Sequence, residues 1–453
     1  MQPLDKLKYM LEVGDLRSRT FIEACLAKIL DEAGQGPRAF LSVFAKVAQR
    51  QADIADEARH HGCPVQPFAG IPISVKDLFD TSGQVTRAAS HVLDDNPPAS
   101  KDADAVAALR RAGFIIIGKN HMTEFAYSGL GMNIHFPVPL NPFERSVGRI
   151  PGGSTSGGAV AVADGMVPAA LGSDTGGSCR IPAAFCGIVG FKPTARRVSK
   201  KGAIPLSETL DAIGTVAGSV SCCSSLDAIL SGESDDHDNE NYPESTLCLG
   251  VVNGYVDEKL DKDVSSAYAA TLTRLSQAGV RLAPVSIPAL SRLPHINRLG
   301  GFVGAEAYAW HRPYLESRSQ LYDPWILARF EAGRSQTAAD YIDLLHKRED
   351  VIHAVCRQSQ PFDALVMPTV QIAPPTVASL SDSSVSNDIN MLCLRNTAIA
   401  NFLDRPAISI PCHETGAAPV GFMLIGETLD DKKLLKIAKS LESIIRPSWR
   451  QNQ

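Results

Sequence analysis

Lys76, Ser154 and Ser178 are the residues whose settings suggest chemistry. Ser154 lies in Gly152-Gly153-Ser154-Thr155-Ser156-Gly157-Gly158, and Ser178 closes Asp174-Thr175-Gly176-Gly177-Ser178. Both knots belong to one stretch, Arg149 to Thr194, which holds ten glycines between short apolar runs. Glycine at that density costs stability in regular elements, so it marks backbone that approaches something closely or takes unusual torsions. A phosphate-cradling GxxxxGK[ST] loop wants a lysine in the turn, and neither knot has one. A pair of flexible loops is the plain alternative. The third reading makes Ser178 a nucleophile in a turn whose successive N–H groups form an oxyanion hole.

A serine nucleophile needs a base. No histidine falls between His135 and His237, although a distant one could fold in. Upstream, Gly70-Ile71-Pro72-Ile73-Ser74-Val75-Lys76-Asp77 reads as a strand, apolar on both sides, that ends in Lys76. A lysine on a buried strand is costly because desolvation disfavours its charged form. The same desolvation leaves a neutral amine able to accept a proton. His121 is the competing base, and its expected role is structural or peripheral.

Around these residues the chain alternates strand and helix, which predicts an α/β fold. A helix over about Ala159 to Gly165 and a strand over Val167 to Leu171 join the two knots. Phe114 to Gly118 reads as a buried parallel strand, and Lys119 to Gly129 follows at its carboxyl end, where open α/β sheets put ligands. Residues 1–62 read as a helical segment, with Ser18 or Thr20 capping a helix through Phe21 to Asp31 and a strand-like Ala39 to Phe44. Beyond a polar Ser231 to Thr246 loop, Leu247 to Gly254, Ala364 to Met367, Pro406 to Pro411 and Gly421 to Ile425 read as strands. Asp263 to Ala278, Asp340 to Val355, Leu392 to Phe402 and Asp430 to Ile445 read as helices, and Ser379 to Asp388 as a polar loop. The aromatic stretch Gly301 to Gly333 reads as helix packing, with a substrate-facing wall for a bulky acyl group as the alternative. Asp174 and Arg180, flanking the second knot, read as a buried ion pair that holds the turn.

Composition narrows the function classes. At 453 residues with 44% hydrophobic and 21% charged residues, the chain has ample core for a globular protein. A net charge of −5 argues against nucleic acid as a main partner. No apolar run reaches membrane-spanning length. Ten cysteines stand without CxxC pairs, Cys222-Cys223 reading as two small buried hydrophobes, and the eleven histidines form no HExxH. No metal and no cofactor are therefore expected, and a reduced, cytoplasmic setting is.

Lys76, the GGSTSGG knot and DTGGSCRIPAAFCGIVGFKPT closely resemble the amidase signature family of serine hydrolases. The resemblance is dense over about 68–198 and thins to Leu210-Asp211-Ala212-Ile213-Gly214 and Pro406 to Pro411. It implies one amidase domain over 1–453: a large mixed sheet between helices, with a more variable, substrate-shaping half at about 247–453. It also implies a Ser–cis-Ser–Lys triad of Ser178, Ser154 and Lys76, with a cis Gly153–Ser154 peptide. The oxyanion hole would be Thr175, Gly176, Gly177 and Ser178, and Ala126 with Ser154 would approach the substrate. Thr155 and Cys179 depart from the commoner family residues without touching a triad position. The implied activity is hydrolysis of a small linear carboxamide through an acyl-Ser178 intermediate, the partner being that substrate alone, or a second copy in a homodimer. The ammonia-releasing A chain of a glutamyl-tRNA amidotransferase is the alternative, as is a hydrolase of ureido amides such as carboxybiuret or allophanate. A non-catalytic scaffold fits poorly with a full triad.

Overall fold

The computed structural model describes residues 2–233 and 242–446. Its strands are β1 (Phe40–Val43), β2 (Pro72–Lys76), β3 (Ile115–Asn120), β4 (Ala169–Asp174), β5 (Val189–Lys192), β6 (Ala212–Ala217), β7 (Cys248–Asn253), β8 (Arg281–Ser286), β9 (Ala364–Pro368), β10 (Ala407–Pro411) and β11 (Gly421–Ile425). They form one eleven-stranded sheet in the order β1-β3-β2-β4-β6-β5-β10-β11-β9-β7-β8. The sheet is mixed. β3, β2 and β4 run parallel, β6 through β11 alternate in direction, and β9, β7 and β8 run parallel again. This is the α/β architecture the alternation implies, and a single sheet carries both the motif-rich half and the later half.

Strands that are apolar on both sides go to the middle of such a sheet, where helices cover them. Every residue of β2, β3 and β4 is buried. The helix Ser156–Ala163 packs on β4, Val220–Ser231 on β6, and Asp431–Ile445 on β10. Ser156–Ala163 is small and apolar all round and buries every residue from Ser156 to Val162, as a helix enclosed within a core must.

Several boundaries differ from the sequence expectations for physical reasons. β4 starts at Ala169 and runs on through Gly172, Ser173 and Asp174, because its ladder with β6 continues to Asp174↔Ala212. The helix that follows the first knot begins at Ser156, so Gly157 and Gly158 form its first turn. A Cβ on Gly157 would stand 2.2 Å from Ala39 O, which is why the position is glycine. The Ser18–Ile29 helix is capped by neither Ser18 nor Thr20. Asp56 of a neighbouring helix accepts from the Ser18 and Arg19 amides at 2.8 and 2.9 Å. The supposed loop at Ser379 to Asp388 is in part helix: Ser383–Phe402 starts there because Asp382 accepts from the Ser384 and Val385 amides. β8 follows the helix Lys262–Gln277 at the sheet edge, where none of its residues is buried and Pro284 interrupts it, so it has no apolar strand pattern to read. Within the polar stretch Ser231 to Thr246, residues 234–241 lie outside the described residues.

Candidate active site

The parallel strands β2 and β4 deliver their carboxyl ends side by side, and each ends in a charged residue, Lys76 and Asp174. Lys76 is fully buried. Its Nζ lies 2.7 Å from Ser154 Oγ and 2.9 Å from Ser173 Oγ. Desolvation pushes the lysine pKa down to about 8, partly offset by Cys179, Asp174 and Asp211. The Gly153–Ser154 peptide is cis. Gly153 N donates to Gly129 O at 2.8 Å, and Ser154 O accepts from Thr123 N at 3.3 Å. These two bonds join the first knot to the Thr123–Gly129 loop, in which Phe125 and Ala126 have positive φ and Ala126 is buried.

Ser178 stands at the start of the Arg180–Cys186 helix in the second knot. Its carbonyl accepts from Thr155 N at 3.2 Å, which ties the two knots together. Among the described residues no hydrogen bond joins the Ser154 and Ser178 hydroxyls. The lysine-to-Ser154 link is thus formed, and the Ser154-to-Ser178 link is one of adjacent turns.

The turn at residues 175–178 is held by its carbonyls and side chains. Thr397 Oγ1 donates to Gly176 O at 2.6 Å, Ile181 N to Gly177 O at 2.7 Å, and Thr175 Oγ1 to Asp211 Oδ1 at 2.5 Å. Cys179 N donates to Asp174 Oδ2 at 3.1 Å. Among the described residues the N–H groups of Thr175, Gly176, Gly177 and Ser178 have no protein acceptor, so all four are open to a ligand. Gly177 takes φ 136°, and a Cβ there would stand 2.2 Å from Thr397 Oγ1.

Behind this turn Asp174 and Arg180 form the expected ion pair, fully buried, with Nη2–Oδ1 2.8 Å and Nε–Oδ2 3.1 Å. Arg180 also donates to Thr397 O and Asn401 Oδ1. Burial works against the Asp174 charge, but Arg180 overcomes it and holds the carboxyl at about 2. His121 is not at Ser178. It is buried with Nδ1 2.8 Å from Ser156 Oγ, and burial drives its pKa to about 3, so it braces the start of a helix as a neutral ring. The aromatic stretch packs on itself: His311 stacks on Phe330 at 3.7 Å and meets Phe125 edge-on at 4.4 Å. Among the described residues no group of His, Cys, Asp and Glu is placed to hold a metal, and no helix is long and apolar enough to cross a membrane.

A family model described as Amidase matches residues 20–435. The chain belongs to the amidase family. Over 96% of its length it is 32% identical to the A chain of the glutamyl-tRNA(Gln) amidotransferase of Chloroflexus aggregans, covering 94% of that protein. It is 31% identical, over 88% of its length and 86% of the relative's, to the 2-amino-5-chloromuconic acid deaminase of Comamonas testosteroni. A solved structure described as an amidase superposes with a TM-score of 0.88 at 30% identity, covering 98% of this chain and 99% of the other. Family membership makes this a hydrolase acting on C–N bonds and the mixed sheet the amidase fold.

Sequence reasoning missed four residues that hold the candidate site: Ser173, Asp211, Thr397 and Asn401. The last two had a readable signal. Ser386, Asn390, Cys393, Thr397 and Asn401 recur at helical spacing on one buried face, where a purely structural helix would place aliphatic residues. Ser173 was hidden because the apolar run before it was read as the whole strand.

Proposed function

We propose that this amidase cleaves a carboxamide through an acyl-enzyme on Ser178. The observation that carries the reading is the buried Lys76 amine, 2.7 Å from Ser154 Oγ and partly neutral near pH 8. Neutral Lys76 takes the Ser154 proton as Ser154 takes that of Ser178, and Ser178 Oγ attacks the carbonyl. The N–H groups of residues 175–178 stabilise the tetrahedral oxyanion. Collapse expels ammonia or an amine, protonated by the same path in reverse, and water then hydrolyses the ester. Ser178→Ala is expected to abolish turnover and labelling by a fluorophosphonate without unfolding the chain. Persistent labelling would move the nucleophile elsewhere.

The acyl group is proposed to carry a carboxylate. Arg329, on the helix Pro324–Ala332, donates to Tyr127 O at 3.0 Å and lies over the rings of Tyr127 and Trp325 at 4.9 and 4.4 Å. Among the described residues it pairs with no carboxylate, although it is half-buried beside the loop that holds Gly153. A cation kept partly out of water without a counter-ion suits an anionic ligand. The relative named for 2-amino-5-chloromuconic acid is in keeping with an acidic substrate. Arg329→Met is expected to raise KM about 10–100-fold for amides bearing a second carboxylate, the loss of one charge-assisted hydrogen bond, and to leave neutral amides unchanged. Equal effects on both would remove Arg329 from recognition.

The similarity to amidotransferase A chains supports a second reading, in which the ammonia passes to a partner. Hydrolysis of a simple amide by the chain alone, without ATP, favours the first; activity only when partner chains are added favours the second.

A further inference from the structure

β4 and β6 pair to their ends at Asp174 and Ala212. Thr175 and Asp211 are therefore the first residues past the ladder, one on each strand, and Thr175 Oγ1 donates to Asp211 Oδ1. The other carboxylate oxygen accepts from Leu206 N at 2.9 Å, while Asp211 N donates to Ser207 O at 2.9 Å. Asp211 thus closes the 206–211 turn upon itself and reaches across to the turn that carries Ser178. Among the described residues it makes no ion pair, and burial pushes its pKa up to about 6. A buried carboxylate held only by a hydroxyl and amides is a costly group to keep for packing alone.

The 206–211 turn is gripped from its far side as well. Glu306, on the helix Gly301–Arg318, accepts from Ser207 Oγ, from Thr209 Oγ1, from Thr209 N at 3.1 Å and from Tyr341 OH at 2.6 Å. Tyr341 belongs to the helix Ala338–Ser359. One carboxylate from the later half of the chain therefore gathers two side chains and an amide of this turn.

We propose, resting on the amidohydrolase reading above, that the path Glu306–Ser207–Asp211–Thr175 fixes the oxyanion turn. Asp211 is then a positioning residue for acylation, and Glu306 is where the later half takes hold of the catalytic turn. The four amides stabilise charge only while they are aimed at it, and a misplacement of about 1 Å can cost about 10²-fold in rate. Among the described residues Thr175 has no other side-chain tether. Its hydroxyl and the Gly176 carbonyl, held by Thr397, are the two points at which the turn is fixed before Gly177.

The test uses the purified full chain and an amide it turns over. Thr175→Val removes the hydroxyl at nearly constant shape and is expected to lower kcat by about 10²-fold with KM nearly unchanged. Thr175→Ser restores the hydroxyl and is expected to restore kcat. Asp211→Ala should match Thr175→Val, the double variant should be no worse than either, and Glu306→Ala should lower kcat less. Wild-type kcat in Thr175→Val, no rescue by serine, or losses that multiply in the double variant would overturn the proposal. Should Asp211→Ala not fold, the Thr175→Val and Thr175→Ser pair decides alone. Ser178→Ala, run in parallel, separates the two readings: activity in that variant defeats the amidohydrolase mechanism, whereas an inactive Ser178→Ala with an unimpaired Thr175→Val defeats only the positioning path.

Discussion

Ser173 Oγ lies 2.9 Å from Lys76 Nζ, on the strand residue that immediately precedes Asp174. With Ser154 Oγ at 2.7 Å on the same nitrogen, the lysine is aimed by two hydroxyls, one from β4 and one from the first glycine-rich turn. A hydroxyl that accepts from an ammonium favours the charged form. Ser173→Ala is therefore expected to lower the Lys76 pKa further and to shift the rising limb of kcat/KM to lower pH. The plateau should fall, because the amine is less well aimed at Ser154. A limb that does not move, measured over the same buffers, would show that Ser173 does not act on the lysine.

Lys76 and Ser154 are proposed to form one proton path, so their losses should not add in free energy. Each alanine variant is expected to lose about 10³-fold or more in kcat, and the double variant about as much as the worse single. The measurement is a double-mutant cycle on a single amide. Fully multiplicative losses would mean that the two residues serve separate steps.

Arg180 has a structural cost that can be read directly. Removing it strands the buried Asp174 carboxylate, which keeps only Asn401 and the Cys179 amide as donors. Arg180→Met is expected to cost about 3–5 kcal/mol in denaturant unfolding, and adding Asp174→Asn should recover part of it. The pH sign follows from the depressed carboxyl. With a folded value of about 2 against the ordinary 3.8, the pair's contribution is complete above about 3.8 and is lost as pH falls toward 2. A single variant as stable as the wild type at pH 7 would exclude the pair as an anchor of the turn.

The residues of the candidate site stand out in the sequence because glycine density and a charged residue closing an apolar strand are local anomalies. Lys76 and the Asp174–Arg180 pair could be picked out from their own segments, since each is costly without a partner. What could not be read locally was who supplies the partners. Asp56 caps a helix from another helix, Asp211 reaches Thr175 across two strand ends, and Thr397 holds Gly176 from more than two hundred residues away. Such contacts are set by strand order, and the order β4-β6-β5-β10 places late segments against early ones in a way no local pattern encodes. The strand that ran on through Gly172 to Asp174 shows the same limit at short range, because ladder pairing with β6 outweighed the low strand preference of glycine and aspartate.

The sharpest prediction concerns pH. Burial lowers Lys76 from 10.5 to about 8, so only about a tenth of the amine is neutral at pH 7 and nearly all of it is neutral above pH 9. If that amine is the base, kcat/KM rises about tenfold per pH unit on the acid side, bends near 8 and levels above it. The same depression acts on stability. Between about 8 and 10.5 the unfolded chain binds the proton that the native lysine has lost, so this residue's destabilising contribution is full below about 8 and fades as pH rises to 10.5. Lys76→Arg should be as inactive as Lys76→Ala, because guanidinium does not give up its proton in proteins. His121 gives a different profile: with its pKa pushed to about 3 it would leave the rate flat from pH 5 upward. A flat profile together with an active Lys76→Arg variant would show that residue 76 supplies charge rather than basicity, and His121 would then be the proton acceptor to test.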